Sequence, residues 1–236
     1  MIPPILQEYP AYLHELVFKE DATVYELLQI DVAFAFFWHA FFFVTARPLL
    51  WLTYDAPWLR ASTERDYDRN ADMKKIFEVQ MGYTREEAIC EMMRGWSFTQ
   101  VVMFQHVVGS LLCVPSLMGV GDTSWASSLA ALGLMSEMGY EVGDLLFNMI
   151  IYRIFFEDER KRAPPIFLIF GLIHHSLATC LGLPMVLSYR QLKPLHWITF
   201  DLQMAGATAP LTEFTKTRDL SKPNELLQFK SDRDSR

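Results

Sequence analysis

The chain has 236 residues, of which 51% are hydrophobic and 21% are charged, and its formal net charge is −7. The charges are clumped, and the apolar runs between them are long enough to cross a bilayer, which argues against an ordinary soluble domain. The apolar content excludes a disordered chain, and the acidic balance argues against nucleic-acid binding. Cys90, Cys113 and Cys180 are far apart and odd in number, so they indicate neither a disulfide framework nor a zinc finger.

Apolar runs predict an all-α polytopic membrane bundle with four transmembrane helices and a fifth candidate. Runs of this length are read as helices because the bilayer holds no water to satisfy an irregular backbone. The fifth candidate is the weakest, since it contains Asp201 and Glu213. In chain order the runs cover residues 30–46, 97–120, 125–156, 166–188 and, for the fifth candidate, 195–214.

Polar segments divide the chain into three parts. An N-terminal non-membrane segment covers 1–29, the membrane domain covers 30–214, and a polar tail covers 215–236. Within the membrane domain, a polar loop at about 55–96 separates the first two runs. Its stretch 72–94 has the composition and apolar spacing of a helix that lies on the cytoplasmic membrane surface or binds a partner.

Loops rich in basic residues alternate with loops that are poor in them. Seven lie between the first and second runs, and none lies between the second and third. The positive-inside rule therefore places the loops around Lys74 and Arg160 in the cytoplasm and the N-terminus on the other side. The tail is then cytoplasmic, provided that the fifth run crosses.

A polar stripe marks the third run. At about 100° per residue, Glu137, Tyr140, Glu141, Asp144 and Asn148 share one face about 100° wide. An ionisable side chain at membrane depth costs about 2.5–3.5 kcal/mol on insertion scales, so such groups face a cavity or a partner. We therefore expect this stripe to face the interior of the bundle.

Adjacent histidines mark the fourth run. His174 and His175 stand in an apolar run of 23 residues, and Gly171 and Gly182 lie between the two histidine directions. Small residues let another helix approach, so the pair is predicted to flank a close helix contact. In the second run, His106 shares a face with small polar residues, which favours packing or hydrogen bonding.

Two of these features resemble the TLC domain, a family that includes ceramide synthases and the translocating-chain-associated membrane protein. Residues 139–146 read GYEVGDLL, which is similar to the family signature G-Y-x-x-x-D-L-L. His174-His175 begins 30 residues beyond Asp144 and resembles the family's H-H motif in the following membrane helix. His106 is similar to a histidine that recurs in an early helix of the family.

The resemblance covers roughly residues 30–214 and has departures toward its end. Residues 207–211 are similar to the family stretch E-x-S-T-P-F, with Gly206 at the position of the Glu. Where ceramide synthases carry H-D-x-x-D after H-H, this chain has Trp197 and Phe200 in place of the acids, which weakens the case for acyl transfer to a sphingoid base. The family also has more membrane helix near its C-terminus, so we expect a truncated, wrongly spliced or diverged chain.

The resemblance implies a multi-pass protein of the endoplasmic reticulum or a related internal membrane. Its role would be synthesis, sensing or homeostasis of lipid, either sphingolipid or phospholipid. As an enzyme it would be an acyl-CoA-dependent N-acyltransferase, in which His174 or His175 accepts the acyl group or acts as base and Asp144 orients it. Acyl-CoA would be a co-substrate, and neither a cofactor nor a metal is assigned. The residues expected to line the lipid cavity are Tyr140, Glu141, His106 and Asn148.

Two other functional classes remain open. For these and for the TLC-type class, the expected partners are membrane lipids and a second membrane chain in a homo- or heterodimer, and no nucleic acid is expected. One class is a zinc-dependent intramembrane lipid hydrolase, with ligands from His106, His174 or His175 together with Asp144 and one open position. Side chains at 174 and 175 diverge by about 100°, which makes joint ligation awkward. The other class is a non-catalytic scaffold whose polar stripe only holds helices together.

Overall fold

The computed structural model describes residues 15–19, 21–54, 56–155 and 165–216. Within these ranges nearly every residue is helical and none lies in a strand, so the all-α prediction is confirmed. The first fourteen residues of the predicted N-terminal segment, the basic residues 160–162 and the tail from 217 onward lie outside the described residues.

Helix boundaries follow from local signals in the sequence. Thr84 and Glu87 form a capping box that starts the longest helix, and Gly119, with φ at 68°, ends it. The Asp122 side chain accepts from the Ser124 amide and starts the next helix. The helices are α1 (Val24–Tyr54), α2 (Pro57–Arg69), α3 (Ala71–Lys74, continued by a π-helix over Lys75–Gln80), α4 (Arg85–Met118), α5 (Thr123–Gly143, continued by a π-helix over Asp144–Ile151 and an α-helix over Tyr152–Phe155), α6 (Pro165–Tyr189) and α7 (Lys193–Lys216).

Three described helices are long and apolar enough to cross a membrane. They are Val24–Leu52, Arg85–Met118 and Gly171–Tyr189, which coincide with the first, second and fourth predicted runs. The count is therefore three, fewer than the four predicted. The third run forms α5, whose serines and carboxylates lower its hydropathy, and the fifth candidate forms α7.

The polar loop between α1 and α4 is folded. The expected single surface helix over 72–94 is wrong, because Gly82, with φ at 70°, separates α3 from α4. The pKa of Tyr67 is raised to about 12. Burial is the main cause, and the hydrogen bond that the hydroxyl donates to Glu78 is the second. This segment packs on the first turns of α4 through a buried cluster of Leu59, Tyr67, Ala88, Ile89 and Met93.

Helix α5 is the centre of the bundle and packs against α1, α4, α6 and α7. It runs parallel to α1, since Ile30 shares a buried cluster with Met135 and His39 bonds Tyr152 further along both helices. It runs antiparallel to α4, since Gly133 approaches the Gly109 carbonyl while Glu137, later on α5, bonds Gln105, earlier on α4. Pairs of contacts at two positions along each helix also show that α6 is antiparallel to α5 and that α7 is antiparallel to α4. Successive long helices therefore alternate in direction.

Glycines allow the close helix contacts around α5. A Cβ at Gly139 would stand 2.3 Å from the Phe34 Cβ on α1. On α6, a Cβ at Gly171 would meet Met149 at 2.3 Å and one at Gly182 would meet Met138 at 2.6 Å. The predicted close contact along the small residues of the fourth run is therefore confirmed, and it is made with α5.

Candidate functional site

The polar stripe of α5 faces the bundle interior, as predicted. The side chains of Glu137, Glu141 and Asp144 are 18%, 5% and 11% exposed. They meet histidines from the helices on either side of them in the sequence. We call the resulting group the carboxylate–histidine cluster; its members are His106, Glu137, Glu141, Asp144, Asn148, His174 and His175.

Each carboxylate of α5 is paired with a histidine on another helix. His106 Nδ1 on α4 lies 3.0 Å from Glu137 Oε2. On α6, His174 Nε2 lies 3.4 Å from Glu141 Oε1, and His175 Nδ1 contacts Glu141 Oε2. His175 Nε2 also lies 3.0 Å from Asp144 Oδ2. The contacts bring a histidine nitrogen to every carboxylate of the stripe, while His106 Nδ1, Glu141 Oε2 and His175 Nδ1 make no hydrogen bond among the described residues.

Asp144 is held from two sides at a change in helix type. The Asn148 side-chain amide donates to Asp144 Oδ1 at 2.5 Å, while Oδ2 faces His175. The π-helix of α5 begins at Asp144. Such wider turns inside α-helices occur frequently at functional sites.

His174 and His175 converge on one carboxylate despite their divergent directions. They use different ring nitrogens, Nε2 and Nδ1, and reach different oxygens of Glu141. One ligand atom from each of these three residues lies within 4.8 Å of the others. The His174 side chain is 62% exposed and that of His175 is 8% exposed, so the cluster reaches the outer surface of α6 through His174.

Tyr140 and His106 occupy the inner side of the cluster. The Tyr140 ring is buried, with its centroid 5.3 Å from that of Phe42 and 6.2 Å from that of His106. A Cβ at Gly206 on α7 would lie 2.7 Å from the His106 ring, so the position of the family's Glu faces His106 with no room for a side chain. Side chains from residue 209 onward lie outside the described part of α7.

Several interior polar residues escaped the sequence analysis. Asp31 on α1 is buried, and its isolated position in an apolar run was the signal that could have revealed it. Gln203 on α7 donates to the Gly133 carbonyl at 2.8 Å. His196 is buried between Ser116 and the Arg190 carbonyl. His196 and Gln203 share one buried face of α7 with Thr199, but the atoms they contact come from distant positions in the sequence.

Comparisons with protein-family models, with curated proteins and with solved structures return no match for this chain. The fold and the site therefore define its class: an all-α protein with membrane-length helices and an interior carboxylate–histidine cluster.

Proposed function

We propose that this chain is a TLC-type multi-pass membrane protein that synthesises, senses or regulates membrane lipid at the carboxylate–histidine cluster. One observation carries the proposal: His175 Nε2 lies 3.0 Å from Asp144 Oδ2. The two motifs on which the resemblance rests are separate in the sequence, yet they meet in one interior cluster. Two motifs that form one functional site must be in contact in the folded protein, whereas two unrelated helical segments need not be.

The proposal includes five membrane crossings, by α1, α4, α5, α6 and α7. Alternating helix directions support it, as do exposed aromatic side chains at both ends of the bundle, where interfacial aromatics anchor membrane helices. The aromatics at one end are Tyr25, Trp125, Tyr189 and Trp197, and those at the other end are Trp51 and Phe155.

Single cysteines distinguish five crossings from three. In a background with Cys90 and Cys180 replaced by Ser, we introduce Val79→Cys, Val120→Cys or Leu192→Cys, all at exposed positions. A membrane-impermeant maleimide should label position 79 from the cytoplasm and positions 120 and 192 from the opposite side. If α5 does not cross, positions 120 and 192 lie on opposite sides, and that labelling pattern contradicts the proposal.

Acyl transfer from a thioester to an amine needs a general base, and His175 is the member of the cluster that would serve as one. Asp144 fixes the orientation of His175, and Asn148 fixes that of Asp144. An imidazole held in this way can take the proton of the attacking amine and return it to the thiolate leaving group. His174 reaches the surface and is the histidine placed to contact a lipid headgroup in an internal membrane such as the endoplasmic reticulum.

The test replaces both histidines and measures lipids. In cells that lack the native protein, the double variant His174→Ala, His175→Ala should fail to restore the ceramide and phospholipid profile that the unchanged protein restores. The matched control is His39→Ala, because His39 is a span histidine that bonds Tyr152 outside the cluster. An unchanged profile, at equal abundance of the double variant in the membrane, would contradict a role of the pair in lipid chemistry.

A scaffold is the second candidate function. It is favoured by the way in which the pairs join α5 to α4 through Glu137 and to α6 through Glu141 and Asp144. In that case the cluster serves assembly alone, and its loss should change the amount of protein in the membrane without changing what each molecule does to lipid.

A further inference from the structure

We propose that Glu141, His174 and His175 bind a divalent cation of the zinc class between α5 and α6. The sequence analysis assigned no metal, and the zinc hypothesis it kept open drew its carboxylate from Asp144 rather than Glu141. The inference goes beyond the proposed lipid role and does not depend on it. With a metal bound, the histidines are ligands rather than bases, and the lipid is contacted at the open coordination position instead.

The separation between His174 and Glu141 matches that of two ligands in a tetrahedral zinc shell. Bonds of about 2.0–2.2 Å in a tetrahedral arrangement separate neighbouring ligand atoms by roughly 3.3–3.6 Å. His174 Nε2 and Glu141 Oε1 are 3.4 Å apart, and one ligand atom from each of the three residues lies within 4.8 Å of the others. Two imidazoles and one carboxylate form a ligand set of catalytic zinc sites, which keep a fourth position for water or substrate.

Two buried acceptor atoms face each other at this point. Glu141 Oε2 and His175 Nδ1 are in contact, and neither has a hydrogen-bond partner among the described residues. Glu141 and His175 are 4% and 7% exposed, so water does not readily satisfy these atoms. Buried polar atoms almost always have a partner, and a cation held by the Glu141 carboxylate and by His175 Nδ1 would supply one to each residue.

The surrounding residues fix the ring nitrogen that would bind the metal. His175 Nε2 lies 3.0 Å from Asp144 Oδ2, and a carboxylate oxygen there accepts the Nε2 proton. With that proton on Nε2, the lone pair of a neutral His175 is on Nδ1 and points toward Glu141. A carboxylate that holds the second nitrogen of a ligating histidine is the usual outer support of protein zinc sites, and Asn148 in turn holds Asp144.

The other carboxylate and histidine of the cluster, Glu137 and His106, lie beside each other and are not ligands of the proposed metal site. Glu137 is one turn earlier on α5 and is paired with His106 of α4. His174 is the exposed ligand, so the site opens on the outer surface of α6 rather than into the bundle core.

The test measures metal in the full chain, purified without a histidine tag and reconstituted in lipid nanodiscs. After dialysis against buffered Zn²⁺, mass spectrometry of the metal should give about one zinc per chain. Glu141→Gln and the double variant His174→Ala, His175→Ala should lose this zinc. Asp144→Asn, which removes only the outer support, should lower zinc affinity by about 10- to 100-fold.

The matched control is Glu137→Gln, which alters the neighbouring carboxylate of the same stripe and should retain zinc. Co²⁺ in place of zinc should give the absorption of a tetrahedral site in the unchanged chain and in Glu137→Gln, which shows that both are folded around the metal. An unchanged chain without stoichiometric zinc, or a Glu141→Gln chain with as much zinc as the control, overturns the inference. Because no lipid is measured, this result is independent of the lipid test above.

Discussion

Replacing Asp144 by Asn should reduce the lipid change produced per molecule of protein by about 100-fold. Asp144 Oδ2 lies 3.0 Å from His175 Nε2, and a carboxylate there favours the ring proton on Nε2, whereas an amide can donate to the ring and favour the other tautomer. Proton transfer by a positioned side chain contributes about 10²–10⁴-fold to a rate, so an imidazole in the wrong tautomer loses most of that factor. The measurement is the ceramide and phospholipid profile divided by the amount of protein in the membrane.

Glu137→Gln is the control for this prediction, since it alters a carboxylate of the same helix that pairs with His106 instead. It should change the lipid profile per molecule far less than Asp144→Asn. The scaffold alternative gives the opposite pattern: Asp144→Asn lowers the amount of protein, and the lipid change per molecule stays the same. That pattern would remove the catalytic version of the proposed function.

Replacing His196 by Ala should lower the free energy of unfolding by roughly 3 kcal/mol, because each buried polar group left without its hydrogen bond costs about 1–3 kcal/mol. His196 Nε2 donates to the Arg190 carbonyl at 2.7 Å, since a carbonyl only accepts. Nδ1 therefore accepts from the Ser116 hydroxyl at 2.6 Å. The alanine variant leaves the Ser116 hydroxyl and the Arg190 carbonyl without their hydrogen bonds to His196.

Thermal unfolding in nanodiscs measures this effect, with two companion variants. Ser116→Ala removes one of the two hydrogen bonds and should have a smaller effect. His39→Ala removes a partly buried histidine that bonds the Tyr152 hydroxyl, and it should cost about 1 kcal/mol. Equal losses for His196→Ala and His39→Ala would show that the buried histidine has no special role in joining α4 to α7.

Periodicity predicted the direction of the polar stripe and the small-residue contact. The angle between Glu137, Glu141 and Asp144 is a property of one helix, so the sequence of α5 determines it. Which histidine meets each carboxylate depends on how α4 and α6 pack against α5 and on their relative positions along the helix axis. Local sequence patterns do not determine either. For that reason the convergence of His174 and His175 on Glu141 was not foreseen.

Hydropathy identified the membrane-length helices better than the boundaries around them. Three predicted runs coincide with helices that are long and apolar enough to span. The folded segment between α1 and α4 was predicted with the wrong division, because the positive φ of Gly82 interrupts a composition that otherwise favours one helix. His196 was passed over for a similar reason: its partners are Ser116, 80 residues away, and a backbone carbonyl.

The pairing of α5 with both of its neighbours sets an order for biogenesis. As the chain leaves the ribosome, α4 is already available to give His106 to Glu137, whereas the histidine partners of Glu141 and Asp144 on α6 are not yet synthesised. Each unpaired carboxylate costs about 2.5–3.5 kcal/mol at membrane depth. Under the five-span arrangement, α5 therefore enters the bilayer as a marginal segment and is retained when α6 arrives with its two histidines, so that its insertion is a property of the helix that follows it.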